Sequence, residues 1–76
     1  MDDLVVRDPE PGGASELSPL QREIIRLIVM GRTNAQIADR LGMTPGGVGT
    51  QVGRILERLG LTHRADIAPW ATGRRR

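Results

Sequence analysis

The sequence of 76 residues predicts an all-α protein with four helices. Each predicted helix starts at a serine or threonine, whose side-chain oxygen can accept a hydrogen bond from the N–H groups at a helix start. Three of the four helices end at a glycine, the residue that most readily takes the left-handed backbone conformation found at helix ends. No segment alternates apolar and polar residues over the length of a strand, so no β-sheet is predicted.

The first helix is predicted to run from Ser18 to Gly31. Pro19 suits the first helical position, where its missing N–H group has no intrahelical partner to lose. Gln21 follows Ser18 at the spacing of a capping box, in which each side chain binds the backbone N–H group of the other residue. The apolar residues that recur at helical spacing and are predicted to face the core are Leu20, Ile24, Leu27 and Ile28.

The second and third helices are predicted to be joined by a very short turn. Thr33 with Gln36 repeats the capping box, and this short helix ends at Gly42. The third and longer helix is predicted to start at Thr44 and to end at Gly60. The core residues of the two helices are predicted to be Ile37, Ala38, Leu41, Val48, Val52, Ile55, Leu56 and Leu59. A short and a long helix joined by a tight turn with glycine are typical of the helix-turn-helix unit, although a generic small helical bundle shares these signals.

A fourth helix is predicted to follow, with Thr62 as its capping residue. Its apolar residues are Ala65, Ile67, Ala68 and Trp70. Pro69 falls well inside this segment, where a proline removes a hydrogen bond and clashes with the preceding turn. The fourth helix is therefore expected to kink or end at Pro69.

Charge is distributed unevenly along the chain. Residues 1–16 hold five acidic residues and one arginine, and their prolines, glycines and few apolar residues predict a disordered acidic N-terminal tail. Residues 17–76 hold ten arginines against four acidic residues, and the chain has no lysine. Arginine binds phosphate through a planar fork of donors, so the basic region is predicted to bind an acidic polymer. The helix-turn-helix domain is predicted to span residues 17–72, followed by a basic C-terminal tail at 73–76.

The composition argues against an enzyme or a metal protein. The chain has no cysteine and a single histidine, His63, so neither a thiolate metal site nor a catalytic triad can be assembled. Glu23 has no second carboxylate, histidine or nucleophile at a useful spacing. An ion pair with a nearby arginine, or a hydrogen bond to another helix, is expected instead. No cofactor is expected. The acidic start and the lack of a long apolar run predict neither a signal peptide nor a membrane span, and hence a cytoplasmic protein.

A set of residues recurs in a defined order, without insertion, between Leu17 and Ala71: Leu17-Ser18-Pro19, Arg22-Glu23, Leu27, Gly31, Asn34, Ile37-Ala38, Leu41-Gly42, Pro45, Val48, Val52, Ile55-Leu56, Leu59-Gly60 and Arg64-Ala65. Together they resemble the LuxR/GerE-type DNA-binding domain of bacterial transcription regulators. The promoter-binding region of sigma factors shares some of these features, but Asn34 and the Arg-Leu-Gly end of the third helix favour the LuxR/GerE family. The resemblance implies a four-helix domain whose second and third helices bind double-stranded DNA.

The resemblance also implies partners and an assembly. The fourth helix often forms a dimer in this family, which points to a homodimer interface at Ile67 and Trp70. Trp70 is the only aromatic residue, and it could instead close the core. The chain would be a stand-alone regulator or a part of a longer one, and a larger regulatory protein is a further candidate partner.

The DNA contacts are predicted on the third helix and at the start of the second. The N-terminal part of the third helix would enter the major groove, where Thr50 and Gln51 would meet base edges. Arg54 and Arg58 lie further along and are predicted to bind phosphates, as are backbone N–H groups at the start of the second helix. The predicted DNA-binding residues, some of them implied by the resemblance, are Thr33, Asn34, Ala35, Thr44, Gly47, Val48, Gly49, Thr50, Gln51, Gly53, Arg54 and Arg58.

Four glycines in the third helix depart from the family pattern, which usually has polar residues there: Gly46, Gly47, Gly49 and Gly53. Each glycine inside a helix costs roughly 1 kcal/mol relative to alanine. One interpretation is that the helix backbone approaches DNA closely and that base specificity is low. The alternative is an interaction module of the same fold, which binds a partner helix along Gly46, Gly49 and Gly53 and has lost DNA readout.

Overall fold

The computed structural model describes residues 17–73, and within this range it contains four α-helices, one short 3₁₀ helix and no strand. The helices are α1 (Pro19–Val29), α2 (Asn34–Leu41), α3 (Pro45–Leu59), the 3₁₀ helix (Arg64–Asp66) and α4 (Ile67–Thr72). The all-α prediction is therefore confirmed for this part of the chain. The predicted acidic tail at 1–16 and the arginines at 74–76 lie outside the described residues.

Both predicted capping boxes are present. Oγ of Ser18 accepts a hydrogen bond from the backbone N–H of Gln21 over 3.1 Å, and Oε1 of Gln21 accepts one from the N–H of Ser18 over 3.0 Å. Thr33 and Gln36 form the same pair of hydrogen bonds at the start of α2, over 3.1 and 2.9 Å. Each capping side chain contributes about 1 kcal/mol to helix stability, so the starts of α1 and α2 are fixed by local sequence.

The turn between α2 and α3 depends on a glycine. Gly42 has a φ of 71°, in the left-handed region where a side chain would be strained, and it ends α2 as predicted. The N–H of Met43 then donates to the carbonyl oxygen of Ala38 over 2.9 Å, which satisfies one of the last carbonyls of α2. Because α3 already starts at Pro45, the two helices are held at a fixed angle by a very short connection.

The fourth helix begins later than the sequence predicted. The segment opens with the 3₁₀ helix, whose capping residue is His63 rather than Thr62. Oδ2 of Asp66 accepts a hydrogen bond from the N–H of His63 over 3.4 Å. Since α4 starts at Ile67, Pro69 falls in its first turn, where backbone N–H groups have no intrahelical partner. The predicted kink or end at Pro69 is therefore wrong, and the helix runs on to a left-handed Gly73.

The core lies where the four helices meet. Each α-helix contributes at least one fully buried branched side chain, and these are Ile24, Val48, Ile37, Ile55 and Ile67. Packing pairs α2 with α3 and α1 with α4. Leu20, predicted to be inward, is 38% exposed at the edge of the core, and Met30 is 59% exposed just after α1. The α2–α3 pair therefore packs on one side of the core, and the α1–α4 pair packs on the other side.

The expected ion pair of Glu23 is present on the surface of α1. Nε of Arg26 lies 3.3 Å from Oε1 of Glu23, one helical turn away. The Arg26 side chain is 74% exposed and that of Glu23 is 44% exposed, so the pair contributes less than about 1 kcal/mol to stability. Glu23 therefore has a modest structural role.

Candidate nucleic-acid interface

One face of α3 is directed away from the core. Gly46, Thr50, Gly53 and Arg54 are exposed there, and we call these four residues the outward face. The opposite side of the same helix carries its four buried core residues. The outward face therefore belongs to a helix whose other side is packed in the core. This arrangement can present a helix to a groove of DNA.

Few side chains project from the outward face. Gly46 and Gly53 have none, and a Cβ atom added at either would meet no atom within 4 Å. Thr50 is exposed, and its Oγ1 donates a hydrogen bond to the carbonyl oxygen of Gly46 over 3.1 Å. The methyl group of Thr50 and a lone pair of its hydroxyl oxygen are thus directed to solvent together with the long side chain of Arg54. Thr50 and Arg54 are the two residues of this face that can reach a ligand with a side chain.

The last turn of α3 adds charge beside the outward face. Arg58 and Glu57 are both exposed there. Arg58 lies one turn beyond Arg54, so two guanidinium groups follow the same helix. An exposed arginine pair suits phosphate oxygens, which accept hydrogen bonds from Arg irrespective of base sequence.

Gln51 does not belong to the outward face. It is half-buried, and its Oε1 accepts a hydrogen bond from Nε2 of Gln21 over 3.1 Å. Gln21 is itself buried, with 7% of its surface exposed. Its Oε1 forms the capping box of α1 with Ser18, so both polar atoms of its amide group are bound. The pair therefore joins α3 to the start of α1. The prediction that Gln51 offers its amide to a base conflicts with this position, since that amide faces another helix.

Replacing Gln51 with alanine tests its structural role. The change leaves the Nε2 donor of Gln21 without its acceptor in a nearly buried place, so we expect the free energy of unfolding to fall by about 1 kcal/mol. Urea denaturation measures this loss. Gln51→Glu keeps an acceptor oxygen and is expected to keep most of the stability. A stable Gln51→Ala variant that lost preference for adenine in a duplex selection would instead restore Gln51 as a base reader.

Three other predicted DNA-binding residues near the start of α3 have roles within the fold. Val48 is fully buried, so its side chain belongs to the core and cannot enter a groove. Thr44 is exposed, and its Oγ1 accepts a hydrogen bond from the N–H of Gly47 over 3.0 Å as the cap of α3. A Cβ atom at Gly47 would lie 3.2 Å from that same oxygen. Glycine at this position therefore leaves the capping hydroxyl uncrowded.

The start of α2 presents backbone donors. Thr33 and Ala35 are exposed, and the N–H of Gln36 is bound by the Thr33 hydroxyl. The earlier N–H groups of a helix, here those of Asn34 and Ala35, have no intrahelical acceptor. Together with the positive end of the helix dipole they suit an anionic oxygen.

The side chain of Asn34 faces inward rather than toward a ligand. Asn34 is half-buried, and its Oδ1 accepts a hydrogen bond from Nη1 of Arg64. Its Nδ2 lies 3.7 Å from the position that a Cβ atom at Gly49 would take. Gly49 is likewise half-buried and borders the outward face on the α2 side. Sequence reasoning missed Arg64 as a partner, although Asn34 and Arg64 both belong to the residues that carry the family resemblance.

The two residues predicted for a dimer interface, Ile67 and Trp70, differ in their exposure. Ile67 is fully buried in the core of the protomer, so it is not available to a second copy of the chain. Trp70 is half-buried and packs on the edge of the core beside Leu17 and Ile25. A dimer through α4 would therefore not include Ile67.

Residues 17–73 show neither a metal site nor a membrane-spanning helix. No three His, Asp or Glu side chains in this range lie close enough together to hold a metal ion. None of its helices combines the length and the apolar composition that crossing a membrane requires.

The short α2, the tight turn and the exposed outward face of α3 define a helix-turn-helix DNA-binding domain. The family model for bacterial regulatory proteins of the luxR family, also called GerE, matches residues 15–71. The chain therefore belongs to this family, and the resemblance inferred from the residues is confirmed.

Several bacterial regulators are similar to this chain. The transcriptional regulatory protein MctR of Rhizobium johnstonii is 37% identical over 59 residues, which cover 78% of this chain and 28% of the relative. The nitrate/nitrite response regulator protein NarL of Escherichia coli K12 is 36% identical over 74% of this chain and 26% of its own length. The DNA-binding transcriptional activator DevR/DosR of Mycobacterium tuberculosis is 38% identical over 76% and 27%, respectively. The chain thus spans about a quarter of the length of these relatives.

Proposed function

We propose that the chain binds double-stranded DNA in the bacterial cytoplasm as a transcription regulator, with the outward face of α3 in the major groove. The start of α2 would lie against a phosphate beside that groove. The observation that carries this proposal is the exposure of Thr50 and Arg54 on a rigid helix next to the backbone donors of α2. The names of the similar regulators support the same function.

We further propose that this DNA binding is only weakly selective for sequence. The first nine residues of α3 include four glycines, two buried valines and Gln51, whose amide binds Gln21. Thr50 is the remaining polar side chain that could meet bases there, and its methyl group fits the methyl group of thymine. A single such contact discriminates poorly, so affinity would come mainly from arginine–phosphate contacts.

Selection from a pool of random duplexes tests the proposal. The chain is immobilised at low salt, bound duplexes are recovered and sequenced, and their affinity is measured by fluorescence anisotropy at several salt concentrations. The expected result is retention of duplexes with a short, thymine-containing preference and a steep salt dependence. Lack of retention at low salt would contradict DNA binding as the function of this chain.

Arg54 provides the sharpest test of the phosphate contacts. Arg54→Ala is expected to weaken binding to all duplexes about equally and to reduce the slope of log Kobs against log salt by about 0.9, the value for one phosphate. Arg58→Ala is expected to act in the same way. Arg26→Ala removes the same charge from the α1–α4 side of the domain and is expected to leave the slope almost unchanged. An Arg54→Ala variant with an altered sequence preference and an unaltered slope would make Arg54 a base reader.

A homodimer and a larger regulatory partner remain part of the proposal. The surface available for a second copy would be the side of Trp70 and α4 that is not in the core, with the exposed Val29 and Met30 at the end of α1 nearby. The same chain could also act alone. Sedimentation of the free chain and of its duplex complex would show one or two copies per duplex.

The alternative interaction module receives less support. A partner helix along Gly46, Gly49 and Gly53 needs a continuous open strip, whereas Gly49 is half-buried beside the Asn34 amide and Thr50 stands between the two open glycines. The strip is open only at Gly46 and Gly53. This surface therefore favours a ligand that tolerates gaps, such as a hydrated groove of DNA, over a closely packed helix.

A further inference from the structure

The guanidinium group of Arg64 joins three segments of the domain. Its Nη2 donates to the backbone carbonyl oxygen of Arg32 over 2.8 Å, and its Nη1 donates to Oδ1 of Asn34. Arg32 belongs to the connection between α1 and α2, Asn34 is the first residue of α2, and Arg64 opens the 3₁₀ helix after α3. One side chain therefore connects three segments: the α1–α2 connection, the start of α2 and the segment that follows α3.

Asn34 extends this link to α3. With Oδ1 bound to Arg64, the amide nitrogen of Asn34 is turned toward Gly49, at 3.7 Å from where a Cβ atom would lie. The Asn34 amide therefore lies next to the space that a methyl group at residue 49 of α3 would fill. The side chain that Arg64 holds thus lies at the boundary between the start of α2 and the first half of α3.

We infer that Arg64 is a positioning residue for DNA binding: through Asn34 it sets the spacing between the start of α2 and the outward face of α3. This inference rests on the proposed function, which assigns phosphate contacts to the start of α2 and groove contacts to the outward face of α3. The planar fork of an arginine can hold two acceptors in fixed directions, whereas the single ammonium group of a lysine is a point charge without such a fork. Arg64 is half-buried, in agreement with a role inside the protein.

Four variants test the inference in duplex binding: Arg64→Ala, Arg64→Lys, Asn34→Ala and the double variant Asn34→Ala/Arg64→Ala. We expect each single variant to bind duplex about tenfold more weakly, the effect of losing one hydrogen bond to a charged group. Lysine should rescue little, since its single ammonium nitrogen lacks the planar fork that reaches both acceptors in fixed directions. Because the two residues act as one unit, the double variant should lose no more than either single variant. The slope of log Kobs against log salt should stay close to that of the unchanged chain.

A second readout does not depend on DNA. In ¹H–¹⁵N spectra of the free chain, Arg64→Ala and Arg64→Lys are expected to shift the backbone signal of Gly49 and the side-chain amide signal of Asn34. Arg32→Ala is the matched control, because it removes a neighbouring arginine side chain while its backbone carbonyl still accepts the hydrogen bond from Arg64. It should leave both signals in place.

Several results would overturn the inference. If Arg64→Ala lowered the salt slope by about 0.9 and Arg64→Lys restored full affinity, Arg64 would be a phosphate ligand itself. Additive losses in the double variant would show that the two residues act independently. Unchanged Gly49 and Asn34 signals in the free Arg64 variants would also refute the link, even if the unchanged chain bound no duplex. If the unchanged chain bound no duplex, that result would refute the proposed function, and the NMR signals would still test the Arg64–Asn34 link.

Discussion

Replacing both Gly49 and Gly53 with alanine is expected to raise the free energy of unfolding by about 2 kcal/mol. Both residues lie inside α3, where glycine loses more backbone entropy on folding than alanine does. A Cβ atom at Gly53 would meet nothing within 4 Å, and one at Gly49 would make an ordinary contact with Asn34. For a domain of this size, thermal unfolding monitored by circular dichroism should show a rise in Tm of about 8–16 °C.

Gly42→Ala is the matched control for this gain. Gly42 has a φ of 71°, so alanine would be held in the left-handed region and should destabilise the domain by about 1 kcal/mol or more. Replacing glycine with alanine is thus expected to raise stability inside α3 and to lower it at the left-handed Gly42. Equal or lower stability of the Gly49/Gly53 double variant would mean that α3 is not a regular helix at these residues.

The same double variant also separates the functional alternatives. Two added methyl groups on α3 leave room for side-chain contacts in a groove, so a DNA-binding domain should keep its duplex affinity. A partner helix packed directly on the strip would be expelled, because close-packed contacts tolerate extra methyl groups poorly. Loss of duplex binding in a more stable variant would instead show that the α3 backbone itself comes very close to DNA.

Ile67→Ala is expected to have the largest destabilising effect of the changes considered, about 2–5 kcal/mol. Ile67 is fully buried between α4 and the rest of the core, so removing its side chain leaves a cavity and loses apolar burial. A domain with a core this small has little stability in reserve, and a large part of the chain should be unfolded at 37 °C. Urea denaturation at 10 °C would measure the loss.

Protein concentration distinguishes the core role of Ile67 from a dimer role. If Ile67 acts within the protomer, the loss is the same in dilute and concentrated solutions, whereas a dimer contact would make it depend on concentration. Thr62→Ala is the control, since Thr62 is exposed and does not cap the fourth helix, and it should change stability by less than about 0.5 kcal/mol. A mild, concentration-dependent effect of Ile67→Ala would return Ile67 to a subunit interface.

The parts of the fold that depend on neighbouring residues could be predicted from the sequence. The capping boxes at Ser18 and Thr33 each involve residues three positions apart, and the glycine ends depend on a single residue. The start of the fourth helix was predicted at Thr62, whereas the capping residue of the segment is His63. The choice depends on how Asp66 folds back on His63 and on the burial of Ile67, which the core decides.

The candidate site could be predicted only in outline. Helical spacing alone gave α3 an outward side, yet Gln51 at the edge of that side turns toward α1. Asn34, at the start of α2, likewise turns toward Arg64. Their partners, Gln21 and Arg64, are each 30 residues away in the sequence. Periodicity along one helix carries no information about such distant partners, so residues at the edge of a face are the ones most easily misassigned.

The position of Trp70 makes the domain convenient for spectroscopy. The chain contains no tyrosine or phenylalanine, so its intrinsic fluorescence comes from this one indole. Trp70 lies on the α1–α4 side against Leu17 and Ile25, away from the outward face of α3. Its emission wavelength should therefore report the loosening of α1 from α4 and remain largely silent when a ligand occupies α3. Unfolding can then be followed through Trp70 emission, without an attached dye, in samples with and without a ligand on α3.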